Sequence, residues 1–472
     1  MRRSLIVAAS LVLLVLVPAS STATGPQPSA RVGAIYFDGW ACPLTNFHFS
    51  GLVGGPYSER RPLVGWRDNS LESMRTQLSW AHQDGIGFFL FDWYRRNVDP
   101  CLNVAHDNYI ALGDHHGVGF ADLYVNHDPF GVSPEEWPVF AEQWVTKDFL
   151  TSDYERIDGK PLFVVFDTTL FREQQGGTAG VNAALETLRQ TAIRHGLPGV
   201  FVVGGRYSDY LNVGCFPECD ATDGGPGGLS LERYDALTEY ASTGALPPID
   251  GPRPYGDFVT AERANWDRFA QASPVPYIPS VMDGWDPRPW GERPYGRLFW
   301  FRRTPEEVGG LLKDAITWIG AHPSMHVGAP SSPPLVLLEA WNELGEGGYV
   351  LPTDADGYAY GHALASALGT SWNTQHARHF SLMEKGRVLA GVLTVDDHWT
   401  PCEVASLRLQ RRLRGSWTTA RTTATRPGGS FSLRLPTQAG RYRIRAPQST
   451  RYRQTCVAAT SLAVTSAQRV SG

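Results

Sequence analysis

Outside its first two dozen residues the chain has no apolar run approaching the roughly 20 residues that a membrane-spanning helix needs, so no other segment is expected to cross a bilayer. It has no Gly-x-Ser-x-Gly elbow, which removes a common serine-hydrolase architecture. No glycine-rich phosphate loop follows the first apolar strand, and no nucleotide-sugar donor site is discernible. An open dinucleotide-binding sheet therefore lacks its signature. Cysteine is sparse, six in 472 residues, and no second close pair accompanies Cys215 and Cys219 to complete a zinc site. The ligand series of a calcium loop is missing around Asp354 and Asp356, which read as a turn. Lysine is scarce beside arginine, a compositional mark of a GC-rich bacterial genome. No cofactor, metal or nucleic acid is expected.

What is present begins with an export signal. Arg2 and Arg3 precede the apolar stretch Leu5 to Val17, and Ala19 to Thr24 are small, with Ser21-Thr22-Ala23 as a cleavage site. As a helix that stretch is roughly 20 Å long, short of the hydrocarbon core. Residues 1–24 read as a signal peptide, and the mature chain is expected to be secreted or otherwise extracytoplasmic. In that compartment the cysteines are expected in disulfides. Cys402 and Cys456 bracket the C-terminal region and should pair. Cys42 and Cys101, each just beyond a strand end, should bridge neighbouring loops. Cys215 and Cys219 are left to close a small loop, with zinc as the alternative.

Charge divides the chain. From Arg387 onward there are 14 arginines, no lysine and three acids (Asp396, Asp397, Glu403), a net of +11; taking this from the whole-chain −5 leaves −16 for residues 1–386. Two units are expected, an α/β unit over residues 31–386 and a small all-β unit over residues 387–465. The first alternates short apolar runs with amphipathic stretches such as Leu71 to Gln83, Val181 to His195, Thr260 to Ala272 and Thr304 to His322. Its candidate strands are Val32 to Phe37, Gly85 to Phe91, Gly117 to Val125, Pro161 to Phe166, Gly199 to Val203, Ala236 to Tyr240, Pro276 to Val281 and Pro334 to Leu338. Several are apolar almost throughout, as parallel strands covered on both faces should be. Eight such units predict a (β/α)8 barrel, a TIM barrel with enlarged loops.

In a barrel of this kind the site forms at the C-terminal strand ends, so the residues after each run carry the functional signal. The most informative stretch is Trp341-Asn342-Glu343-Leu344-Gly345-Glu346-Gly347, after the last strand. It sets two carboxylates three apart among glycines, and a carboxylate pair is what glycosidic chemistry requires, one handling the leaving oxygen's proton and one acting on the sugar. Other strand ends offer Asp38 and Trp40, then Asp92-Trp93-Tyr94, Asn126-His127-Asp128, Tyr240, and Trp285 within Asp283-Gly284-Trp285-Asp286. Acids and amides bind sugar hydroxyls and aromatic faces stack on rings, so Asp38, Trp40, Asp92, Trp93, Tyr94, Asn126, Tyr240, Trp285, Trp341 and Asn342 are the candidate substrate contacts. For each the alternative is a structural duty: filling the rim for the tryptophans, capping backbone amides for Asp38 and Asp92. His127 beside Asp128 reads as structural. Glu339 is a third acid near the pair.

Six separated blocks then give a resemblance. Ala34 to Phe37 with Gly39-Trp40, Arg61 to Trp66, Gly85 to Tyr94, Ile157 to Leu162, Pro279 to Trp290 and Ala340 to Tyr360 resemble, in order, glycoside hydrolase family 99 and its close relatives. The resemblance implies a (β/α)8 fold and a retaining endo-α-mannosidase type of activity without a metal. That family's Asn-Glu-Trp-His-Glu-Gly segment is matched at Asn342, Glu343, Glu346 and Gly347. By resemblance, Glu343 takes the proton of the sugar's 2-hydroxyl, which attacks C1 to form a 1,2-anhydro intermediate, and Glu346 protonates the leaving oxygen and then activates water. Side chains three apart on a helical turn lie about 5 to 6 Å apart, close enough to address one ring. Leu344 and Gly345 replace the family's Trp and His, a departure that bears on the sugar bound. Relatives with this variant pattern occur among polysaccharide-assembly proteins, so the alternatives are glycosyl transfer and a non-catalytic carbohydrate-binding barrel.

The basic C-terminal unit reads as short strands: Val388 to Val395, Ala405 to Leu413, Phe431 to Leu435, Gly440 to Arg445 and Cys456 to Thr460, with turns at Pro427-Gly428-Gly429 and Gln438-Ala439-Gly440. An immunoglobulin-like sandwich closed by Cys402 and Cys456 is expected. Its charge suggests an anionic cell-envelope polymer as partner, the alternative being a solvated packing module.

Overall fold

The computed structural model describes residues 29–206, 231–240, 246, 249–273, 275–292, 298–397 and 399–466. The expected signal peptide and the pair Cys215 and Cys219 lie outside them.

Eight parallel strands form the barrel: β1 Arg31–Tyr36, β2 Phe88–Trp93, β3 Gly119–Tyr124, β4 Lys160–Val165, β5 Phe201–Arg206, β6 Ala236–Glu239, β7 Ser280–Met282 and β8 Leu335–Glu339. They hydrogen-bond in the order β6-β5-β4-β3-β2-β1-β8-β7. The ring is all but closed between β6 and β7, where Leu237 donates to Pro276 O (2.9 Å) and accepts from Ile278 N (2.8 Å). All eight strands expected from the sequence are present, with several ends shifted, two of them for clear local reasons. β2 starts at Phe88 because Gly85 is taken by the preceding helix as its left-handed C-cap (φ +82°). β7 shrinks to three residues because Pro276 and Pro279 cannot donate to a ladder.

β2 and β3 are buried at every residue, which an all-parallel sheet under helices requires. The four amphipathic stretches are the helices Leu71–Asp84, Thr178–Arg194, Tyr255–Ala272 and Pro305–Ala321. Their starts follow from sequence: Ser70 accepts from Ser73 N, and Thr304 with Glu307 closes a capping box. Among the described residues no helix is long and apolar enough to cross a membrane.

The C-terminal unit packs two antiparallel sheets face to face. One holds Arg378–Lys385, Val388–Val395 and Ser430–Arg434. The other holds Ser416–Ala424, Ser406–Leu413 and Gly440–Ala446, extended by Ala459–Thr460 and Val464–Ser466. Leu389, Leu393, Leu407, Leu409, Phe431, Tyr442 and Ile444 fill the space between. The charge break at residue 386 falls in a hairpin turn, so the sheet reaches back to Arg378. The run expected as one strand from Cys456 to Thr460 splits into Gln454–Cys456 and Ala459–Thr460, which pair in different sheets.

Both described disulfides join expected partners. Cys42–Cys101 ties the loops after β1 and β2 (Cα–Cα 4.8 Å), and Cys402–Cys456 closes 54 residues of the sandwich unit (5.3 Å). The sandwich is held to the barrel by Trp399, whose ring meets Tyr358, Trp372 and His376, and by Arg75, which forks onto Glu403 at 2.5 and 2.8 Å.

Candidate active site

The segment after β8 is fixed before it reaches the carboxylates. Trp341 N donates to Ile35 O (2.7 Å), and its indole donates to Gln77 Oε1 (2.8 Å). The amide of Asn342 pairs with Phe37 in both directions, accepting from its N–H (2.8 Å) and donating to its carbonyl (3.0 Å). Asn126 does the same to Asp167, and Asn103 to Tyr94. An asparagine amide thus stands in for a strand partner at three places on the rim, pairing backbone groups that burial would otherwise leave without one.

Asn342–Glu343 then pairs antiparallel with Gly348–Tyr349, and Glu346 sits in the tight turn between them. The carboxylates are therefore carried by a hairpin, not by the helical turn that their spacing suggested. Glu346 and Gly347 donate to Glu343 O at 3.2 and 2.8 Å, and Gly347 takes φ +79°, which glycine adopts without strain. Arg60 donates to Leu344 O (2.8 Å) and pairs with Asp286, whose N–H in turn donates to Glu346 O.

Glu343 and Glu346 face a cavity of about 790 Å³, with Asp92, Tyr94, Tyr240, His48, His127 and Trp290 on its walls. The Tyr240 hydroxyl lies 3.1 Å from one Glu343 oxygen and 3.3 Å from Asp92 Oδ2. It has one proton, so it serves one acid at a time. The second oxygens of Glu343 and Asp92 are buried and accept no hydrogen bond among the described residues. Burial, then Glu346 and Asp92, push the Glu343 carboxyl well above the usual range, and the tyrosine opposes this. Burial lifts Asp92 likewise, and it lifts Glu346, with Glu292 nearby, to about 7. Neighbouring buried carboxyls of this kind hold a shared proton through neutral pH. The bond from Tyr240 favours the charged form of Glu343 against the effect of its burial.

Of the ten candidate contacts, Asp92, Tyr94 and Tyr240 line the cavity with the two glutamates. The other seven do not line it. Asp38 accepts from the N–H groups of Ala105 (2.9 Å) and His106 (2.8 Å) at the start of the helix Val104–Ala111. Trp40 donates to Asn342 O (3.0 Å). Trp93 packs on Tyr124, Phe140 and Trp144 outside the barrel. Asn126 and Asn342 spend their amides on rim backbone, and Trp341 spends its indole on Gln77. Trp285 is buried beside Phe299 and borders a separate cleft of about 270 Å³ with Arg60 and Asp286. Glu339 lies off the cavity wall, its carboxyl raised by burial and Asp283.

Trp290 and His48 are among the wall residues that the sequence did not single out. Trp290 donates to His48 O (3.0 Å), and its ring lies on Gly345, where a Cβ would overlap the indole. The glycine between the glutamates is thus paired with a tryptophan 55 positions earlier, a relation that spacing does not reveal. Burial holds the His48 imidazole down at about 4, so it is neutral. Behind β3, His106 stands 3.4 Å from Asp122 and 3.6 Å from Asp148, and these could in principle hold a metal. Although burial opposes it, Asp148, Asp107 and Asp122 raise this imidazole to about 10, so it supplies the cluster's own cation.

Residues 132–364 match the model of a family described as glycosyltransferase WbsX. No curated protein matches the chain. Among solved structures, a glycoside hydrolase-like protein aligns over 73% of this chain and 95% of its own at 18% identity, TM-score 0.49. The GH99 endo-alpha-mannosidase from Bacteroides thetaiotaomicron aligns over 72% and 96% at 15% identity, TM-score 0.48.

Proposed function

Taking the chain as a member of the WbsX group, relatives of glycoside hydrolase family 99 matched here over residues 132–364, we propose that it cleaves an α-linked, mannan-like glycan within the chain and with retention. The observation that carries this is the pair Glu343 and Glu346 lining one cavity, with Tyr240 hydrogen-bonded to Glu343.

In this reading the open oxygen of Glu343 takes the proton of the sugar's 2-hydroxyl as that oxygen attacks C1. Glu346 gives its proton to the departing glycosidic oxygen, so a 1,2-anhydro sugar forms and the leaving chain departs neutral. Water then opens the anhydro ring at C1, losing a proton to Glu346, while Glu343 returns its own to O2. Protons balance over the cycle and both acids end as they began. A cavity of about 790 Å³ accommodates more than one sugar ring, in keeping with endo action. The matched family's description favours a second reading, transfer of the same intermediate to a sugar hydroxyl. We also assign the chain to an extracytoplasmic setting, in keeping with the two disulfides among the described residues, and its basic C-terminal unit to an anionic cell-envelope polymer.

The test is to incubate the purified chain with α-mannans and other polysaccharides and to follow oligosaccharide release and anomeric configuration by NMR. Release of oligosaccharides with the α-configuration supports the proposal. Products that appear only when a sugar acceptor is added identify a transferase, and inverted products sink the 1,2-anhydro route.

A further inference from the structure

The outer face of the larger C-terminal sheet plays no part in the barrel's chemistry. In its register Arg408 stands directly opposite Arg445 and Gln410 opposite Arg443, while Leu409 and Ile444 between them point into the sandwich core. Alternation puts Arg441, Arg443 and Arg445 of one strand outward, beside Arg408 and Arg412 of the next. Four of the five are exposed and Arg443 is half-buried. Their cross-strand neighbours are Thr422, Thr460, Thr465 and Trp417. The strands Ser406–Leu413, Ser416–Ala424, Gly440–Ala446, Ala459–Thr460 and Val464–Ser466 contain no Asp or Glu.

Like charges directly opposite one another across a ladder are destabilising, and a guanidinium cannot shed its proton. The row therefore persists at a cost that an external anion would relieve. Outward side chains recur about every 7 Å along a strand and about 4.8 Å across, a flat grid suited to a chain with regularly spaced negative groups. Threonine hydroxyls interleave the cations and can bind sugar hydroxyls. Trp417 offers no open platform for a nucleobase, since Arg443 covers it at 4.3 Å while donating to Gln410 (2.9 Å). Apolar side chains that would enter a bilayer are otherwise missing from this set of outward residues.

We propose that this arginine and threonine face binds an acidic polysaccharide, with uronate carboxylates paired to Arg408, Arg412, Arg441 and Arg445. The choice of a polysaccharide rests on the reading of the chain as glycan-acting; the anion-binding face stands on the register alone. The full chain is titrated calorimetrically with polygalacturonate, neutral mannan, double-stranded DNA and phosphatidylserine vesicles. Polygalacturonate should bind at about 0.1 M NaCl and be released near 1 M, where the screening length falls to about 3 Å. Arg408→Gln with Arg445→Gln, and separately Arg412→Gln with Arg441→Gln, should weaken it at least tenfold. The first pair should leave the unfolding midpoint unchanged or higher, because it removes a repulsive contact. Silence toward polygalacturonate at low salt, undiminished binding by both double variants, or equal binding of DNA or vesicles would overturn the proposal. Glu343→Gln should bind polygalacturonate as wild type does, so failure of the glycosidase reading shows in cleavage and not in this titration.

Discussion

The barrel cavity and the outer face of the sandwich are each stocked with charge of one sign, and the two regions resolve the repulsion differently. In the cavity Glu343, Glu346 and Asp92 converge with no Arg or Lys among the described residues of its wall. They are buried, so their carboxyls rise in pKa and take up protons, and a site that holds protons near neutrality can hand them to a glycosidic oxygen. On the sandwich five arginines line up without an acid. Guanidinium has no neutral form within reach, so that repulsion is left to solvent, salt or an anionic ligand. On the proposed reading, unmatched charge serves acid–base chemistry where it is buried and titratable, and binding where it is exposed and permanent.

The largest effect expected from breaking this contrast is at the carboxylates. Glu343→Gln should lower kcat/KM on the order of 10³-fold or more on every substrate, since the 2-hydroxyl loses its base. Glu346→Gln should do as much on a natural glycan but far less on a substrate with an activated leaving group, which departs without a proton. Steady-state kinetics on both substrate types decide it; near-wild-type turnover in either variant removes the assignment. Next comes Tyr240→Phe, with a fall on the order of tenfold. Its hydroxyl opposes the rise of the Glu343 carboxyl, so without it that acid keeps its proton to higher pH, and the low-pH limb of kcat/KM should move upward. The high-pH limb, set by loss of the Glu346 proton around pH 7, should stay in place and should vanish in Glu346→Gln.

The barrel strands were legible because each is a short apolar run, and the rim could be read from the residues just beyond each run. The roles on that rim were less legible. Asp38, Trp40, Asn126 and Asn342 all stand where a barrel puts substrate contacts, yet each uses its polar atoms on neighbouring backbone. A residue type at a strand end does not say whether its side chain turns into the cavity or along the rim. Trp290 escaped notice because its partner, Gly345, is remote in sequence. In the sandwich the missed strands Arg378–Lys385 and Ser416–Ala424 are largely exposed, so neither carries the unbroken alternation that marks a half-buried strand. The arginines were countable from sequence, but their place on one face required the register and its shift between Leu409 and Gln410.

The smallest effect separates the two regions by salt alone. Raising NaCl from about 0.05 to about 0.5 M shortens the screening length from about 14 to about 4 Å, inside the distance between neighbouring outward arginines. Repulsion across the sandwich face should weaken, and hydrogen exchange in Ser406–Leu413 and Gly440–Ala446 should slow by a few tenths of a kcal/mol of added protection. The buried Glu346 carboxyl should respond far less, so the high-pH limb of kcat/KM should hold within about 0.2 of a pH unit over the same range. A limb that moves with salt as readily as the exchange rates do would mean that ions reach the carboxylates. In that case the raised pKa could not be ascribed to a dry cavity, and the contrast between buried titratable charge and exposed permanent charge would fail at the barrel end.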